Sequence, residues 1–351
     1  MKALTLKILF VCVCSVFLKQ LNFDKWDEFK RRFGRKFHLN TELKHMQNFF
    51  QKLEKIDVHN KEYALGKTKY LSDINKLTDL DQDQLKRKTG FIPSEPSRVK
   101  RGAGTKRYAY GPNRPIFRIY FADQHITLPE SVDWTKSGWS EPVSDQLDCG
   151  SCWAFSSATM ISAQLWIKKR KNVPISPQDF IDCSTYLSTK GCDGGSPANA
   201  LEFTILNGSS TSDVYQYRNQ QESCRVFVRE QNPLYKITSF YKLDENHDAL
   251  KQAVALLGPV SVSINSEDGF QSYKSGIYDG IDAGRLECSI NDINHAVTVV
   301  GYGTDKTTNT DYWLIKNTWG SDWGESGYVR MLRTKDNLCG IYKYMFVPVI
   351  E

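Results

Sequence analysis

A cysteine at the predicted start of a helix is the feature that most constrains the fold and chemistry of this chain. The pentapeptide Cys149-Gly150-Ser151-Cys152-Trp153 leads into residues 154–165, where apolar side chains recur at helical spacing. The free N–H groups and the dipole of a helix N-terminus stabilise a thiolate, which is the form of cysteine that attacks carbonyl carbons. The sequence therefore predicts that Cys152 is a nucleophile in the first turn of a helix.

Two downstream fragments supply the other groups that a cysteine nucleophile needs. His295 opens the apolar run Ala296–Val300, which predicts a histidine at the mouth of a buried strand. Asn317 lies within Lys316–Gly320, and its amide oxygen can accept a hydrogen bond from an imidazole and orient the ring. A lone histidine in such a place is usually a hydrogen-bonded core residue, but beside Cys152 it is predicted to act as the base.

The spacing Cys149-x-x-Cys152 also occurs in zinc sites and in thioredoxin-like redox pairs. A zinc site of that kind needs a second closely spaced pair, and the next two cysteines, Cys183 and Cys192, do not form one. The sequence therefore predicts neither a metal site nor an organic cofactor.

Together these motifs resemble those of papain-like cysteine proteases, most closely the cathepsin L-like branch, whose members are made as precursors. His295 follows Cys152 by 143 residues and Asn317 follows it by 165, where the family spacing is about 130–150. The resemblance implies an endopeptidase that hydrolyses peptide bonds through a Cys152 thioester, with His295 as acid and base. The alternative is a catalytically silent homologue that binds or inhibits, but Cys152, His295 and Gln146 are all present.

The resemblance also assigns residues around the catalytic pair. Gln146 matches the family's oxyanion glutamine, whose amide N–H would hold the developing oxyanion together with the N–H of Cys152. Because Tyr344 is large where cathepsin L-like enzymes often have a small residue, we expect a shallow pocket that prefers Val or Leu to Phe two residues before the cut. The substrate-binding residues implied by the resemblance are Gly150, Gly194, Gly195, Ser196, Pro197, Ser263, Asn294, Ala296, Trp319 and Tyr344.

Nine cysteines are present, and two of them, Cys12 and Cys14, lie in the N-terminal apolar run. The remaining seven are an odd set, which predicts three disulfides and one free thiol in a secreted chain. Spacing alone does not choose among the possible pairings. The resemblance implies the pairs Cys149–Cys192, Cys183–Cys224 and Cys288–Cys339, with Cys152 unpaired.

The N-terminus and the charge distribution predict a secreted precursor. A basic start precedes the apolar run Ile8–Leu18, which is too short to span a bilayer but suits a signal peptide over residues 1–18, with a buried strand or helix as the alternative. Residues 19–127 carry a net charge of +11 and residues 128–351 a net charge of −7. A basic segment can bind nucleic acid, but no nucleic-acid motif accompanies it, and a basic pro-segment lying on an acidic enzyme explains the same asymmetry.

Residues 19–90 are predicted to form a helical inhibitory pro-domain. Trp26, Phe29, Phe33 and Phe37 recur at helical spacing, and Trp26–Lys30 resembles the start of cathepsin L-like pro-domains. The resemblance implies that this domain is an intramolecular inhibitor of a monomeric enzyme. The family's pro-domain motifs are kept at Phe49, Ile56, Asn60, Asn75 and Asp79, and the chain departs from them at Thr41, His45, Lys52, Asp73 and Leu77.

The remaining segments predict a linker followed by two lobes. Residues 91–127 are Gly- and Pro-containing and basic, which is typical of a linker or pro-peptide tail, and Arg98–Arg101 resembles a dibasic processing site, with a solvated charge run as the alternative. Leu128–Trp134 resembles the family's mature start, so the mature enzyme is expected to begin near Ile126 to Leu128. A helix-rich half, about 128–235, then precedes a strand-rich half, about 236–351, which predicts an α+β fold with two lobes and a cleft between them.

Three further expectations concern a glycosylation pattern, one histidine and the compartment of the protein. Asn207-Gly208-Ser209 fits the N-glycosylation acceptor pattern, although a chance match is about as frequent. His247 lies in a polar stretch and is expected to be solvated. The signal peptide and cysteines place the protein in the secretory pathway, either lysosomal or extracellular, including a digestive lumen, with peptides as substrates.

Overall fold

The structure is a computed structural model, and it describes residues 23–94, 117–282 and 284–351. The predicted signal peptide over residues 1–18 and the dibasic sequence Arg98–Arg101 lie outside the described residues. None of the helices in the described part is both long and apolar enough to cross a bilayer.

The pro-domain is organised around an aromatic cluster. Its elements are helix α1 over residues 23–32, helix α2 (Leu39–Ala64), strand β1 (Tyr70–Ser72) and helix α3 (Gln82–Lys86). Trp26, Phe29 and Phe49 are buried together. The prediction of one helical face through Phe37 is wrong, because α1 ends before Phe33. Phe37 instead reaches the cluster after the chain turns, and its ring stacks on Trp26 with centroids 5.5 Å apart.

The first of the two lobes is helical. Its helices are α4 (Cys152–Lys169), α5 (Pro177–Cys183), α6 (Pro197–Asn207) and α7 (Val226–Glu230). In both α5 and α6 a serine N-cap accepts from a backbone N–H and proline occupies the first turn, which is a favourable helix start. Helix α4 is buried from Cys152 to Leu165, so it forms the centre of the lobe.

The second lobe is built on a sheet. The strands are β2 (Phe117–Tyr120), β3 (Val132–Asp133), β4 (Ser239–Leu243), β5 (Val260–Ile264), β6 (Tyr273–Tyr278), β7 (Ile281–Asp282), β8 (Arg285–Leu286), β9 (His295–Asp305), β10 (Thr310–Lys316), β11 (Tyr328–Leu332) and β12 (Met345–Val349), with helices α8 (His247–Leu256) and α9 (Asp268–Ser272) between them. In the described part, ten strands form one sheet in the order β1-β6-β11-β10-β9-β5-β12-β4-β2, with β3 on β9 and β7–β8 separate. Helix α4 contacts β9, so the two lobes meet along these elements.

The α+β fold with two lobes is confirmed, but the lobes are not strictly consecutive in sequence. Phe346 and Ile350, near the C-terminus, belong to the core of the helical lobe. Val132 and Trp134, near the predicted mature start, pack against the core of the sheet lobe. The helical lobe therefore includes residues near the C-terminus, and the sheet lobe includes residues near the predicted mature start.

Three disulfides join the described cysteines in the pairs that the resemblance implies, Cys149–Cys192, Cys183–Cys224 and Cys288–Cys339. Cys152 is left as a free, buried thiol. Each bridge closes a loop of 41 to 51 residues, which contributes about 4 kcal/mol in the chain-entropy model. Because Cys149 is bonded to Cys192, it is not available to form a redox pair with Cys152.

The predicted linker over residues 91–127 needs correction at both of its described ends. Phe91 and Ile92 make backbone hydrogen bonds to Asn294 and Gly195 of the enzyme. At the other end β2 is an edge strand that pairs in parallel with β4. Both ends are therefore ordered parts of the precursor.

Candidate active site

The free thiol lies where the two lobes meet. Cys152 is the first residue of α4, and Ser151 is its N-cap without a side-chain cap hydrogen bond. The first backbone N–H groups of a helix have no acceptor within it, so they are available to a ligand. The sulfur of Cys152 accepts from the backbone N–H of Ala296 on β9 at 3.4 Å. Cys152 thus begins a helix, as predicted. The structure places its sulfur against β9, the strand that begins at His295.

His295 is held in one orientation by Asn317. The ring Nε2 and the amide Oδ1 are 2.8 Å apart, and both residues are fully buried. The backbone N–H of Thr318 also donates to that Oδ1 at 2.8 Å, which fixes which end of the amide is oxygen. Nε2 must therefore carry a proton, and the neutral ring has its lone pair on Nδ1. Nδ1 is buried without a hydrogen-bond partner among the described residues, so it is free to exchange a proton with a thiol.

The amide of Gln146 is fixed in the same way. Its Oε1 accepts from the hydroxyl of Thr318 at 2.6 Å, and its Nε2 donates to the carbonyl oxygen of Cys149 at 2.9 Å. One N–H of the amide thus remains beside the start of α4. Thr318, which the sequence analysis did not identify, orients both Gln146 and Asn317 through its hydroxyl and its N–H.

A tryptophan covers the imidazole. The rings of Trp319 and His295 stack with centroids 4.5 Å apart and an interplanar angle of 23°. Trp323 packs edge-on against Trp319 at 5.4 Å. These rings exclude water from the contact between His295 and Asn317, which strengthens a hydrogen bond in a site of low dielectric.

The buried pair is neutral in the precursor. Burial raises the pKa of the Cys152 thiol to about 12, although backbone N–H groups that include those of Ala296 and Gly90 oppose the shift. Burial also lowers the pKa of His295 to about 4, against the opposing effect of the hydrogen bond to Asn317. The thiolate expected from the helix start is therefore disfavoured here, because burial outweighs the helix N-terminus while the site is covered.

The cover is a pro-domain segment that crosses the cleft in extended form. The N–H groups of Gly90 and Phe91 donate to the carbonyl oxygen of Asn294 at 3.1 and 3.0 Å. Gly195 donates to Gly90 at 2.9 Å and accepts from Ile92 at 2.8 Å, which forms a parallel bridge between Phe91 and Gly195. We call residues 88–92 the cleft segment. It takes up backbone groups of Asn294 and Gly195, two of the residues that were expected to bind substrate.

Close backbone contact makes glycine necessary in the cleft segment. A Cβ added to Gly90 would lie 1.9 Å from the carbonyl oxygen of Gly150. On one side of this point the Lys88 carbonyl accepts from Nε1 of Trp319 at 2.9 Å. On the other side the Phe91 ring packs 5.0 Å from the Tyr344 ring and is 6% exposed. The segment therefore lies against Gly150, close to Cys152, and packs an apolar ring against Tyr344.

The other expected substrate-binding residues lie around this segment or behind it. An added Cβ on Gly194 would meet the carbonyl oxygen of Gly90 at 2.7 Å. Ser196 and Pro197 form the start of α6, and Ser263 lies on β5 with a buried hydroxyl that has no partner among the described residues. The described part holds no group of three His, Cys, Asp or Glu side chains arranged to bind a metal ion.

The body of the pro-domain docks on an acidic surface of the sheet lobe. Nζ of Lys52 and Nζ of Lys55, both on α2, contact the Asp268 carboxylate at 2.7 and 2.5 Å. His59 Nδ1 lies 2.9 Å from the Asp282 carboxylate. Lys52 is one of the positions that departs from the family motif, so this contact was missed by motif comparison.

The structure also shows the surroundings of His247 and of Asn207. His247 is not solvated as expected, because its side chain is only 14% exposed and its Nδ1 lies 2.7 Å from Asp248 at the start of α8. The side-chain nitrogen of Asn207 contacts the Tyr186 hydroxyl and the Phe203 carbonyl oxygen. The hydroxyl of Ser209, which completes the glycosylation pattern, is buried on Thr204.

Comparison with known proteins divides the chain into the same two parts, a pro-domain and a protease domain. A family model described as papain family cysteine protease matches residues 128–349, and one described as cathepsin propeptide inhibitor domain matches residues 26–85. A cathepsin L-like proteinase of Phaedon cochleariae is 34% identical over 93% of this chain and 94% of its own length. Cathepsin S of Mus musculus is 35% identical over 96% of this chain and 95% of its own.

Solved precursor structures are similar over nearly the whole chain. Digestive procathepsin L 3 of the Tenebrio molitor larval midgut matches with a TM-score of 0.80 and 30% identity, covering 94% of this chain and 99% of its own. Digestive procathepsin L2 proteinase from the same tissue matches with the same TM-score and identity, covering 94% and 100%.

Proposed function

This chain belongs to the papain family of cysteine proteases, and we propose that Cys152, His295, Asn317 and Gln146 form its catalytic site. It is a cysteine protease zymogen of the cathepsin L type. The observation that carries the proposal is the fixed tautomer of His295, whose Nε2 proton is held by Asn317 while Nδ1 stays free as a base.

The proposed reaction uses this tautomer in two half-reactions. Nδ1 of His295 takes the thiol proton of Cys152, and the sulfur forms a bond to the peptide carbonyl carbon. The oxyanion is held by the remaining N–H of Gln146 and the backbone N–H of Cys152, and such a donor is typically worth about 10²–10³ in rate. His295 then gives its proton to the leaving amine, and water activated by the same nitrogen hydrolyses the thioester.

The pro-domain inhibits by occupying the cleft and by suppressing the reactive ion pair. Backbone hydrogen bonds from Gly90, Phe91 and Ile92 take the groups on Asn294 and Gly195 that would otherwise bind a substrate chain. At the same time, burial holds thiol and imidazole in their neutral forms.

Acid is proposed to favour release of the cleft segment. His295 has a pKa of about 4 in the closed precursor, against about 6.5 in water. Opening lets it take up a proton, so the closed form loses stability as the pH falls from about 6.5 to 4, by up to roughly 3 kcal/mol. Burial acts to raise the pKa of Asp268, but pairing with Lys52 and Lys55 outweighs it, so the pKa lies below its ordinary value. Protonation of Asp268 in acid therefore also weakens this docking contact.

One buried carboxyl opposes this trend. Burial raises the pKa of Glu287 to about 7 beneath the docked pro-domain. A carboxyl with a raised pKa is best accommodated when protonated, so its contribution to docking improves as the pH falls. The net effect of acid is therefore the balance of His295 and Asp268 against Glu287.

We propose an apolar residue two positions before the cut, because the pocket that takes Phe91 is bounded by Tyr344. The size of Tyr344 predicts Val or Leu over Phe at that position, whereas the buried ring of Phe91 shows that a phenyl ring fits beside Tyr344 in the precursor. The three disulfides and the cathepsin relatives indicate the secretory pathway. We further propose a monomeric enzyme of a lysosomal or extracellular compartment, and Asn207 remains a proposed glycosylation site.

The experiment that tests the function compares the secreted precursor with its Cys152→Ala variant. Both are held at about pH 5 with a mild thiol reductant while cleavage of a Leu-containing fluorogenic peptide is followed. We expect activity only in the wild type, together with loss of the pro-domain. If the wild type is silent after its pro-domain has been removed, the proposed catalytic site is wrong.

A further inference from the structure

Residues 117–123, which we call the N-terminal arm, add an edge strand to the sheet of the enzyme. Strand β2 pairs with β4 in register, from Phe117 opposite Phe240 to Tyr120 opposite Leu243. The N–H of Asp244 donates to the Tyr120 carbonyl oxygen at 2.9 Å, which extends the contact beyond β4. Since β2 is the last strand on this side of the sheet, the arm covers backbone groups of β4 that would otherwise form an open edge.

A buried glutamine of the enzyme is satisfied by the arm. Oε1 of Gln252 accepts from the Tyr120 hydroxyl at 2.8 Å and from the Asp123 N–H at 2.9 Å. Its Nε2 donates to the Asp123 carbonyl oxygen at 2.9 Å. Gln252 lies on α8 and is 3% exposed. Buried polar groups are almost always hydrogen-bonded, and these three bonds to Gln252 all come from the arm.

The arm also covers apolar surface that belongs to both lobes. The ring of Phe117 stacks on Phe240 with centroids 5.8 Å apart, and the ring of Tyr120 packs edge-on against Tyr241 at 5.5 Å. Phe240 is fully buried and belongs to the core of the helical lobe. Tyr120 and Ala122 pack against the core of the sheet lobe. Removal of the arm would therefore expose apolar groups of the enzyme itself.

Exposed residues 123–127 join the arm to the rest of the enzyme, and the chain contacts the enzyme again at Pro129. The Pro129 carbonyl oxygen accepts from the Tyr302 hydroxyl at 2.9 Å. Nε1 of Trp134 donates at 2.8 Å to the carbonyl oxygen of Val254 on α8, the helix that also carries Gln252. Each arm contact described above goes to residues 239–252, whereas the cleft segment contacts Asn294 and Gly195. The arm thus binds the enzyme away from the residues that the cleft segment contacts.

We propose that the N-terminal arm remains part of the enzyme after activation, so that the activating cut lies before Phe117. The start near residues 126–128 that the resemblance implies would remove the arm. The inference concerns where the active chain begins, and it rests on the proposed function only in that the precursor is processed.

The first test reads the boundary directly. The precursor is activated in acid, and the product is analysed by intact mass and N-terminal sequencing. We expect a chain that contains residues 117–127. An Ile126→Glu variant sharpens the test, because Ile126 is 41% exposed and lies two residues before a cut at Leu128. The proposal requires unchanged processing of this variant, and a block or delay of activation would overturn it, as would an active wild-type chain that begins at 126–128 without the arm.

The second test asks whether the arm stabilises the active enzyme. Gln252→Ala removes the buried amide, and Gln124→Ala, in the exposed loop that follows the arm, is the control. With the arm retained, Gln252→Ala should lower the Tm of the activated enzyme by roughly 3–8 °C, and Gln124→Ala should leave it unchanged. If Gln252→Ala lowers the Tm of the precursor but not that of the activated enzyme, the arm has been lost and the proposal is wrong.

Failure of the proposed function would be seen separately. If the wild-type precursor has no activity of its own, papain added in trans makes the cut, and the boundary and Tm are still measured on the trimmed chain. A trimmed chain that keeps the arm supports the proposal, and one that is stable without it overturns the proposal.

Discussion

Replacing Gly90 with alanine tests whether close backbone contact keeps this precursor inactive. The added Cβ would lie 1.9 Å from the Gly150 carbonyl oxygen, and that neighbour is backbone that leads directly into α4. Because neither side can yield by a change of rotamer, the cleft segment must lift from the enzyme. The rest of the pro-domain stays docked through Lys52 and Lys55 on Asp268.

The size of the effect follows from the contacts that lifting would break. Four backbone hydrogen bonds join Gly90, Phe91 and Ile92 to Asn294 and Gly195, and each is worth about 1 kcal/mol net. Exposing the buried Phe91 ring adds a further penalty. A loss of about 4 kcal/mol shifts the opening equilibrium by about 10³-fold.

The assay is the labelling rate of Cys152 by iodoacetamide in the intact precursor at neutral pH, followed by mass. The other cysteines in the described part are in disulfides, so labelling there reports this thiol alone. Labelling requires opening, so its rate follows the open population. We expect Gly90→Ala to label far faster than wild type. Thr89→Ala removes a methyl group and a hydroxyl that donates to the Lys86 carbonyl oxygen, and it should match wild type. Equal rates in all three proteins would refute the argument.

Four further predictions address the site and its control. Asn317→Ala should lower kcat of the activated enzyme with little change in KM, measured by steady-state kinetics, because His295 loses its fixed tautomer. Thr318→Val should also lower kcat, because the Gln146 amide loses its hydroxyl partner while the backbone N–H that fixes Asn317 is kept, and Thr318→Ser should keep the wild-type kcat; equal activity of both variants would contradict this role. Tyr344→Ala should raise kcat/KM for Phe relative to Leu two residues before the cut, and an unchanged ratio would remove Tyr344 as the base of the pocket. Glu287→Gln should raise the Tm of the precursor at pH 8 but not at pH 5, because the charged form of a carboxyl with a raised pKa destabilises the folded state as the pH rises through about 7; a gain at pH 5 would contradict the assigned pKa.

The local chemistry of the site is encoded in short stretches of sequence. A cysteine just before a helical pattern, and a histidine at the start of an apolar run, specify Cys152 on α4 and His295 on β9, because helix starts and strand starts are set by neighbouring residues. The position of Asn317 is local in the same way, because it directly follows strand β10, which ends at Lys316. These predictions needed only local periodicity and a motif resemblance.

The protonation state of the site was not readable in this way. The helix start favours a thiolate, but the pKa of Cys152 depends on how much water reaches it, and that is decided by residues 88–92, about sixty positions earlier in the chain. For the same reason His247 was expected in water and is instead largely buried beside Asp248. Solvent exposure is a sum over distant segments, so local composition does not determine it.

The family, the α+β class and the identities of the proposed catalytic groups could be predicted from the sequence, because each depends on residue type and near-neighbour pattern. Which segments pack into which unit became clear only from the folded molecule. It placed Gly90 over the thiol, Thr318 between two amides, and β2 on the edge strand β4 of the enzyme rather than in a linker. Each of these depends on contacts between residues far apart in sequence, whose formation is set by shape and hydrogen-bond satisfaction across the folded molecule.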